Sequence, residues 1–120
     1  MTIIGERAFE FHRMNRIGDF RASGSGQIVY EPLKIDLRCV EIAFKVVRKL
    51  RTQSLAFDFL MNEKNEPRIG EISYCFAAKA MFDCPGYWDS RLQWHDGHFW
   101  PQDTIIEDII NSLGVGETIS

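Results

Sequence analysis

The chain has 120 residues, 45% of them hydrophobic and 12% aromatic, which suits one domain with a real core and excludes a disordered or low-complexity chain. A net charge of −3 and a pI near 5.6 argue against a nucleic-acid surface as the main function. Three cysteines (Cys39, Cys75, Cys84) make no Cys-x-x-Cys or zinc spacing, no apolar run approaches a membrane span, and Met1 to Arg7 shows no charged-then-apolar leader, so a reduced, cytoplasmic chain is the expectation.

Thr2 to Arg13 reads as one or two strands, with Phe9, Phe11 and Arg13 on one face and Ala8, Glu10 and His12 on the other. His12 reads as a rim side chain, because no His, Cys or carboxylate partner stands at ligand spacing. Arg13, Arg16 and Arg21 then approach a stretch of small residues, Ala22-Ser-Gly-Ser-Gly26. Glycines let backbone N–H groups close around an anion, and a guanidinium matches phosphate oxygens two at a time. A connecting loop and a phosphate loop containing Arg13, Arg21, Ser23 and Gly24 both fit these residues.

Gln27 to Glu31 is a short strand closed by Pro32. Asp36 to Arg51 is the strongest helix signal, with Leu37, Val40, Ala43, Phe44, Val47 and Leu50 at helical spacing. Asp36 suits the N-cap, and Lys45, Arg48, Lys49 and Arg51 complement the C-terminal end of the dipole. Cys39 reads as a structural thiol.

Leu55 to Tyr74 is a β-hairpin pattern: two apolar runs around Asn62-Glu-Lys-Asn-Glu66. Leu55, Phe57, Phe59 and Met61 share one face, and Ala56, Asp58 and Leu60 the other. A turn centred between Lys64 and Asn65 sets Asp58 opposite Glu71 and Ala56 opposite Ser73. Two charges ~5 Å apart at an effective dielectric of 20 repel by about 3 kcal/mol. A divalent cation such as Mg²⁺ or Mn²⁺ would relieve that repulsion, as would a neighbouring arginine or plain solvation.

Beyond the hairpin, Cys75 to Lys79 is small and irregular, and Pro85-Gly86 marks a turn. Tyr87 to Trp100 collects three Trp and two His in a segment that reads as a loop anchored by its aromatic side chains, or as an acceptor-substrate surface. His95-Asp-Gly-His98 matches no zinc spacing. A last helix is expected from Thr104, with Glu107 completing a capping box, Ile105, Ile106, Ile109, Ile110 and Leu113 facing the core, and Gly114 ending it.

These stretches together resemble a family. Arg13 to Gly26, with its core Gly18-Asp-Phe-Arg-Ala-Ser-Gly-Ser-Gly26, is similar to the phosphate-side loop of ATP-grasp ligases, in the branch of ribosomal-protein glutamate ligase. Ala56-Phe-Asp-Phe-Leu60 and Gly70-Glu-Ile-Ser73 resemble that family's carboxylate strand and Glu-x-Asn motif. The resemblance runs in consistent order from about Ile4 to Tyr74 and fades beyond Phe82. It implies that Asp58, Glu71 and Ser73 hold the magnesium (or manganese) of ATP, and that Arg21, with Arg13, holds phosphates or an acyl-phosphate. Ser73 stands where the family has Asn, which weakens the third contact. The family also needs a second lobe for the adenine side, in the same or another chain.

The expected fold is therefore one α+β domain over residues 1–120: an antiparallel β-sheet with the Asp36–Arg51 helix on one side and a C-terminal helix capping it. The expected function is the ATP- and magnesium-binding half of a carboxylate–amine or carboxylate–thiol ligase. Its expected partners are the missing N-terminal lobe, a small carboxylate and a nucleophile, with a homo-oligomer possible and neither nucleic acid nor membrane involved. A non-catalytic module that keeps the lobe fold and binds a partner through its aromatic tail is the second expectation.

Overall fold

A computed structural model describes residues 1–14, 27–29 and 35–114, with the backbone alone described for 12–14 and 27–29. Residues 15–26, and with them Arg21, Ser23 and Gly24 of the expected phosphate loop, lie outside the described residues, as does the side chain of Arg13.

The fold is α+β. Strands β1 (Thr2–Ile4), β2 (Arg7–Phe9), β5 (Ser54–Met61), β6 (Pro67–Ser73), β7 (Gly86–Asp89) and β8 (Trp94–Asp96) form one antiparallel sheet in the order β6-β5-β1-β2-β7-β8. Strands β3 (His12–Met14) and β4 (Gln27–Val29) pair separately. Three helices complete the described chain: α1 (Leu37–Leu50), α2 (Ala78–Asp83) and α3 (Pro101–Leu113).

The Thr2–Arg13 stretch, read as one or two strands, holds β1, β2 and most of β3. Gly5-Glu6 reverses the chain with Gly5 at φ +58, so β1 and β2 are a hairpin with Ile3 opposite Ala8. Because strand neighbours alternate faces, Ile3 and Ala8 point to one side of the sheet and Ile4 and Phe9 to the other.

Helix α1 covers the first side. Val40, Ala43, Phe44 and Val47 pack with Cys39 against Ile3, Ala8, Leu55 and Phe57. Asp36 is the N-cap as expected: its Oδ1 accepts the Arg38 N–H at 3.0 Å, and Arg51 closes the helix in the left-handed conformation at φ 54. Leu50, expected on the apolar face, is exposed on the last turn. The second side carries Ile4 and Phe9 under Met81 and Cys84, with Phe99 and Ile105 packed against them. Arg7 and Asp108 bind α3 to β2 through two guanidinium–carboxylate contacts of 2.9 and 3.0 Å.

Four expectations for the C-terminal third are corrected. The Tyr87–Trp100 segment holds a hairpin, β7–β8, that extends the main sheet, with Tyr87 opposite His95 and Trp88 opposite Trp94. Its aromatic side chains do act as anchors: Tyr87 and Phe99 both contact Phe9, and Trp100 stacks on Phe82 at 4.3 Å. Helix α3 begins three residues before Thr104, with Pro101 at N1, and the Thr104 hydroxyl is buried and donates to the Pro101 carbonyl at 2.8 Å. Its apolar stripe is not core either. Only Ile105 packs inward, while Ile106, Ile109, Ile110 and Leu113 are exposed, Leu113 by 69%. The stretch Cys75 to Lys79, expected to be irregular throughout, runs into the short helix α2 from Ala78.

Candidate functional site

The β5–β6 hairpin has the expected facing pairs, and it reaches them by a different route. Met61 pairs with Pro67, Leu60 with Arg68 and Phe59 with Ile69, a register centred one half-step nearer Met61 than a turn between Lys64 and Asn65 would give. An irregularity between Asp58 and Phe59 then adds one residue to β6, so that Asp58 meets Glu71 and Ala56 meets Ser73. Gly70 is the extra residue. The Leu60 side chain lies over it, and a Cβ there would come within 3.1 Å of Leu60 Cδ1.

The turn itself is built by Asn62, whose Oδ1 accepts the Lys64 and Glu66 N–H groups at 2.9 Å each. Asn65 sits at φ 58, and its carbonyl accepts from Arg38 Nη2 at 2.8 Å. The same guanidinium reaches Asp36 Oδ2 at 2.7 Å, which holds the Asp36 carboxyl below the usual carboxylate range. Through this one side chain the first turn of α1 is tied to the hairpin tip.

Asp58, Glu71, Ala56 and Ser73 therefore share the sheet face opposite α1. Phe57 exchanges two hydrogen bonds with Met1, so Asp58 directs its own backbone groups toward β6 and forms a hydrogen-bonded pair with Glu71, ~5.5 Å between Cα atoms. Both carboxylates are exposed, and neither has a hydrogen-bond or ion-pair partner among the described residues. Both face water, and solvent screening lowers their repulsion below the ~3 kcal/mol that an effective dielectric of 20 gives.

Ser73 is placed beside them but is already engaged. Its Oγ accepts the Cys75 N–H at 3.0 Å, turning the chain out of β6. A cavity of about 780 Å³ runs past this face, lined by Asp58, Glu71 and Ser73 together with Glu10, Phe11, Phe59, Cys75 and Phe76. Leu60 stands exposed on the face of the pair, Met61, Ile69 and Ile72 are exposed on the other face of the hairpin, and Tyr74 follows β6 exposed by 87%. Among the described residues no group of three or more His, Cys, Asp or Glu side chains is arranged to hold a metal ion. Two carboxylates on adjacent strands do fit Mg²⁺, which takes one or two protein carboxylates and fills its remaining positions with water and phosphate oxygens.

The two histidines of His95-Asp-Gly-His98 are both held by the protein. His95 Nε2 pairs with Asp89 Oδ2 at 2.8 Å, and His98 Nδ1 meets the Phe82 carbonyl at 2.7 Å. His95 holds the Asp89 carboxyl below its ordinary value, and Asp89 Oδ1 in turn accepts the Arg91 and Gln93 N–H groups of the β7–β8 turn. These are structural roles. Among the described residues no helix is long and apolar enough to cross a membrane.

No family model, curated protein or solved structure matches the chain.

Proposed function

We propose that the chain is the magnesium- and phosphate-binding lobe of an ATP-dependent ligase of the ATP-grasp type, which joins a carboxylate to an amine or thiol through an acyl-phosphate. The observation that carries the reading is the Asp58–Glu71 pair: two facing carboxylates on adjacent strands, exposed to a cavity, each without a described protein partner. Among the described residues no cation faces the pair, and an acidic pair of this kind is suited to receive one from outside. Magnesium bound there would neutralise the phosphate oxygens of ATP during transfer, while Arg21 and Arg13 hold the phosphate or acyl-phosphate oxygens.

Exposed apolar side chains on both faces of the hairpin support a second lobe. Leu60 stands on the face of the pair and Met61, Ile69 and Ile72 on the other, apolar surface that a separate monomer would normally keep polar. Such a lobe would supply the adenine side and exclude water from the reaction. The Ser73 hydroxyl already accepts the Cys75 N–H and keeps one lone pair, so the third oxygen contact is weaker than the two carboxylates. That observation favours the other reading, a binding module that retains the lobe without turnover.

Manganese, as a paramagnetic probe for magnesium, tests the site. With ATP present, substoichiometric Mn²⁺ is expected to broaden the amide resonances of Asp58, Phe59 and Glu71 before those of Asp103, Glu107 and Asp108. Asp58→Asn is expected to abolish that preference. Equal broadening at all exposed carboxylates, or a pattern unchanged in the variant, would sink the metal assignment.

A further inference from the structure

The β1–β2 turn marks one end of the main sheet, and the two long helices meet it from opposite sides. Helix α1 arrives on the first side. After Leu50 and Arg51 the chain turns into β5, with the Gln53 carbonyl accepting the Gly5 N–H at 2.9 Å and Ser54 opposite Ile4. Helix α3 passes on the second side, where Asp108 accepts from Gln53 Nε2 at 3.0 Å and lies against Gly5. Each helix leaves apolar side chains uncovered there. Leu50 is 58% exposed, although its spacing continues the buried stripe of Val40, Ala43 and Val47. On α3, Ile106, Ile109, Ile110 and Leu113 form one exposed stripe at helical spacing. Single exposed apolar residues are ordinary, but five gathered at one end of a sheet mark a surface that binds.

The charges at this end are sorted by helix. Arg48, Lys49 and Arg51 are exposed at the end of α1, and none of them has an ion-pair partner among the described residues. Helix α3 contains no Lys or Arg, and Asp103 and Glu107, one turn apart, run along one edge of its apolar stripe. No cation of its own stands at the negative end of its dipole. We infer that this end of the sheet binds a second copy of the chain, with α1 of each copy laid against α3 of the other. A two-fold axis in the plane of the sheet, running across the strands at this end, exchanges the two sides. One such axis therefore makes both contacts at once and closes the pair. Leu50 of one copy then meets the Ile109, Ile110 and Leu113 stripe of the other. The aliphatic stems of Arg48 and Lys49 extend that apolar contact, and their charged ends reach Glu107 and the C-terminal end of α3. Packing α3 on α3 would instead bring two acidic edges together with no cation between them. The Asp58–Glu71 face lies further along β5, toward the hairpin tip, and stays open in this pair.

Sedimentation velocity of the whole chain over a concentration series tests this. The parent is expected to pass from monomer to dimer, and raising salt from ~0.05 to ~0.5 M is expected to weaken the dimer about tenfold by screening the charge contacts. Two charge variants make the sharper comparison: Arg48→Glu with Lys49→Glu on α1, and Asp103→Lys with Glu107→Lys on α3. All four side chains are exposed, so the fold should tolerate them. Each variant alone is expected to stay monomeric where the parent is dimeric. An equimolar mixture of the two is expected to dimerise again, because both contacts then pair opposite charges. A parent that is monomeric up to ~1 mM would overturn the inference, whether this end is bare or covered by the chain's own residues. A dimer that survives in the α1 variant alone would do the same, since α3 would then be packing on something other than α1. Failure of the mixture to recover the dimer, or growth of the parent beyond a dimer, would also sink it. Should a charge variant not fold, Leu50→Asn takes its place. It is expected to weaken the dimer about tenfold, and an unchanged dissociation constant would exclude the end of α1 from the interface.

Discussion

At the scale of single residues, Asp58 and Glu71 are the informative pair. Like charges directly opposite on antiparallel strands are destabilising, and here no described cation offsets them. Water screens the pair, so Asp58→Asn should stabilise the metal-free chain by a few tenths of a kcal/mol, up to about 1 kcal/mol. Added Mg²⁺ should then stabilise the parent more than the variant. Denaturant melts of both proteins, with and without Mg²⁺, measure this. A clear loss of stability in the metal-free variant would mean that Asp58 has a cationic partner in solution, and the pair would become a structural ion-pair site. The pair was legible in the sequence because a strand's period of two makes facing residues countable from the turn. The count came out right through two offsetting shifts, the register at the hairpin tip and the added Gly70, and neither could be read from residue types alone. The commitment of the Ser73 hydroxyl to Cys75 was not legible, since it depends on how the chain leaves β6.

At the scale of elements, α1 could be read almost to the residue because its cap, apolar spacing and basic end all agree. Helix α3 was misread at both its start and its buried face. A buried Thr104 looks like a cap in sequence, but its hydroxyl turns back to Pro101, inside the helix. Beside the inward packing of Ile105, polar contacts hold α3 to the sheet: Asp108 receives Arg7 and Gln53 together. The β1–β2 turn lies directly beneath that carboxylate. A Cβ on Gly5, which also sits at φ +58, would run into Asp108. Gly5→Ala should therefore strain the turn and displace Asp108 from Arg7, at a cost of about 2 kcal/mol. Thermal or denaturant unfolding checks the size of the loss. If Gly5→Ala is neutral while Arg7→Ala is destabilising, the turn relaxes without disturbing α3 and the coupling between them is absent. The β7–β8 hairpin escaped the sequence for a different reason. Trp, His, Asp and Gly together look like loop chemistry, yet Asp89 spends its carboxylate on the turn and the aromatic rings pack on Phe9 and Phe82.

At the scale of the whole molecule, the cysteines report on how the two layers are held on the sheet. All three are free thiols: Cys39 is buried under α1, Cys84 is buried on the opposite side, and Cys75 is exposed at the end of β6. Burial pushes the Cys39 thiol up from its ordinary value, and burial pushes Cys84 up to about 12. A disulfide reagent should thus modify one thiol per chain quickly, at Cys75, and the other two only as fast as the fold opens. Cys84 adds a pH dependence whose sign is fixed. Its folded pKa lies above its ordinary value of 9.0, so between pH 9 and about 12 the folded chain keeps a proton that the unfolded chain has released. The stability this contributes is fully present below pH 9 and is lost as pH rises toward the folded value, by at most ~1.4 kcal/mol per pH unit. Its Sγ lies 3.5 Å from the Ala80 carbonyl and 3.7 Å from the Glu10 carbonyl, so the thiol sits where α2 meets the end of β2. Deprotonation there should loosen the contact between helix layer and sheet. Cys84→Ala should cost about 1 kcal/mol near pH 7 and should flatten the fall in stability above pH 9. Denaturant melts of parent and variant from pH 7 to 10.5 decide the matter, because parallel curves would place the alkaline loss in other groups and leave Cys84 as simple packing.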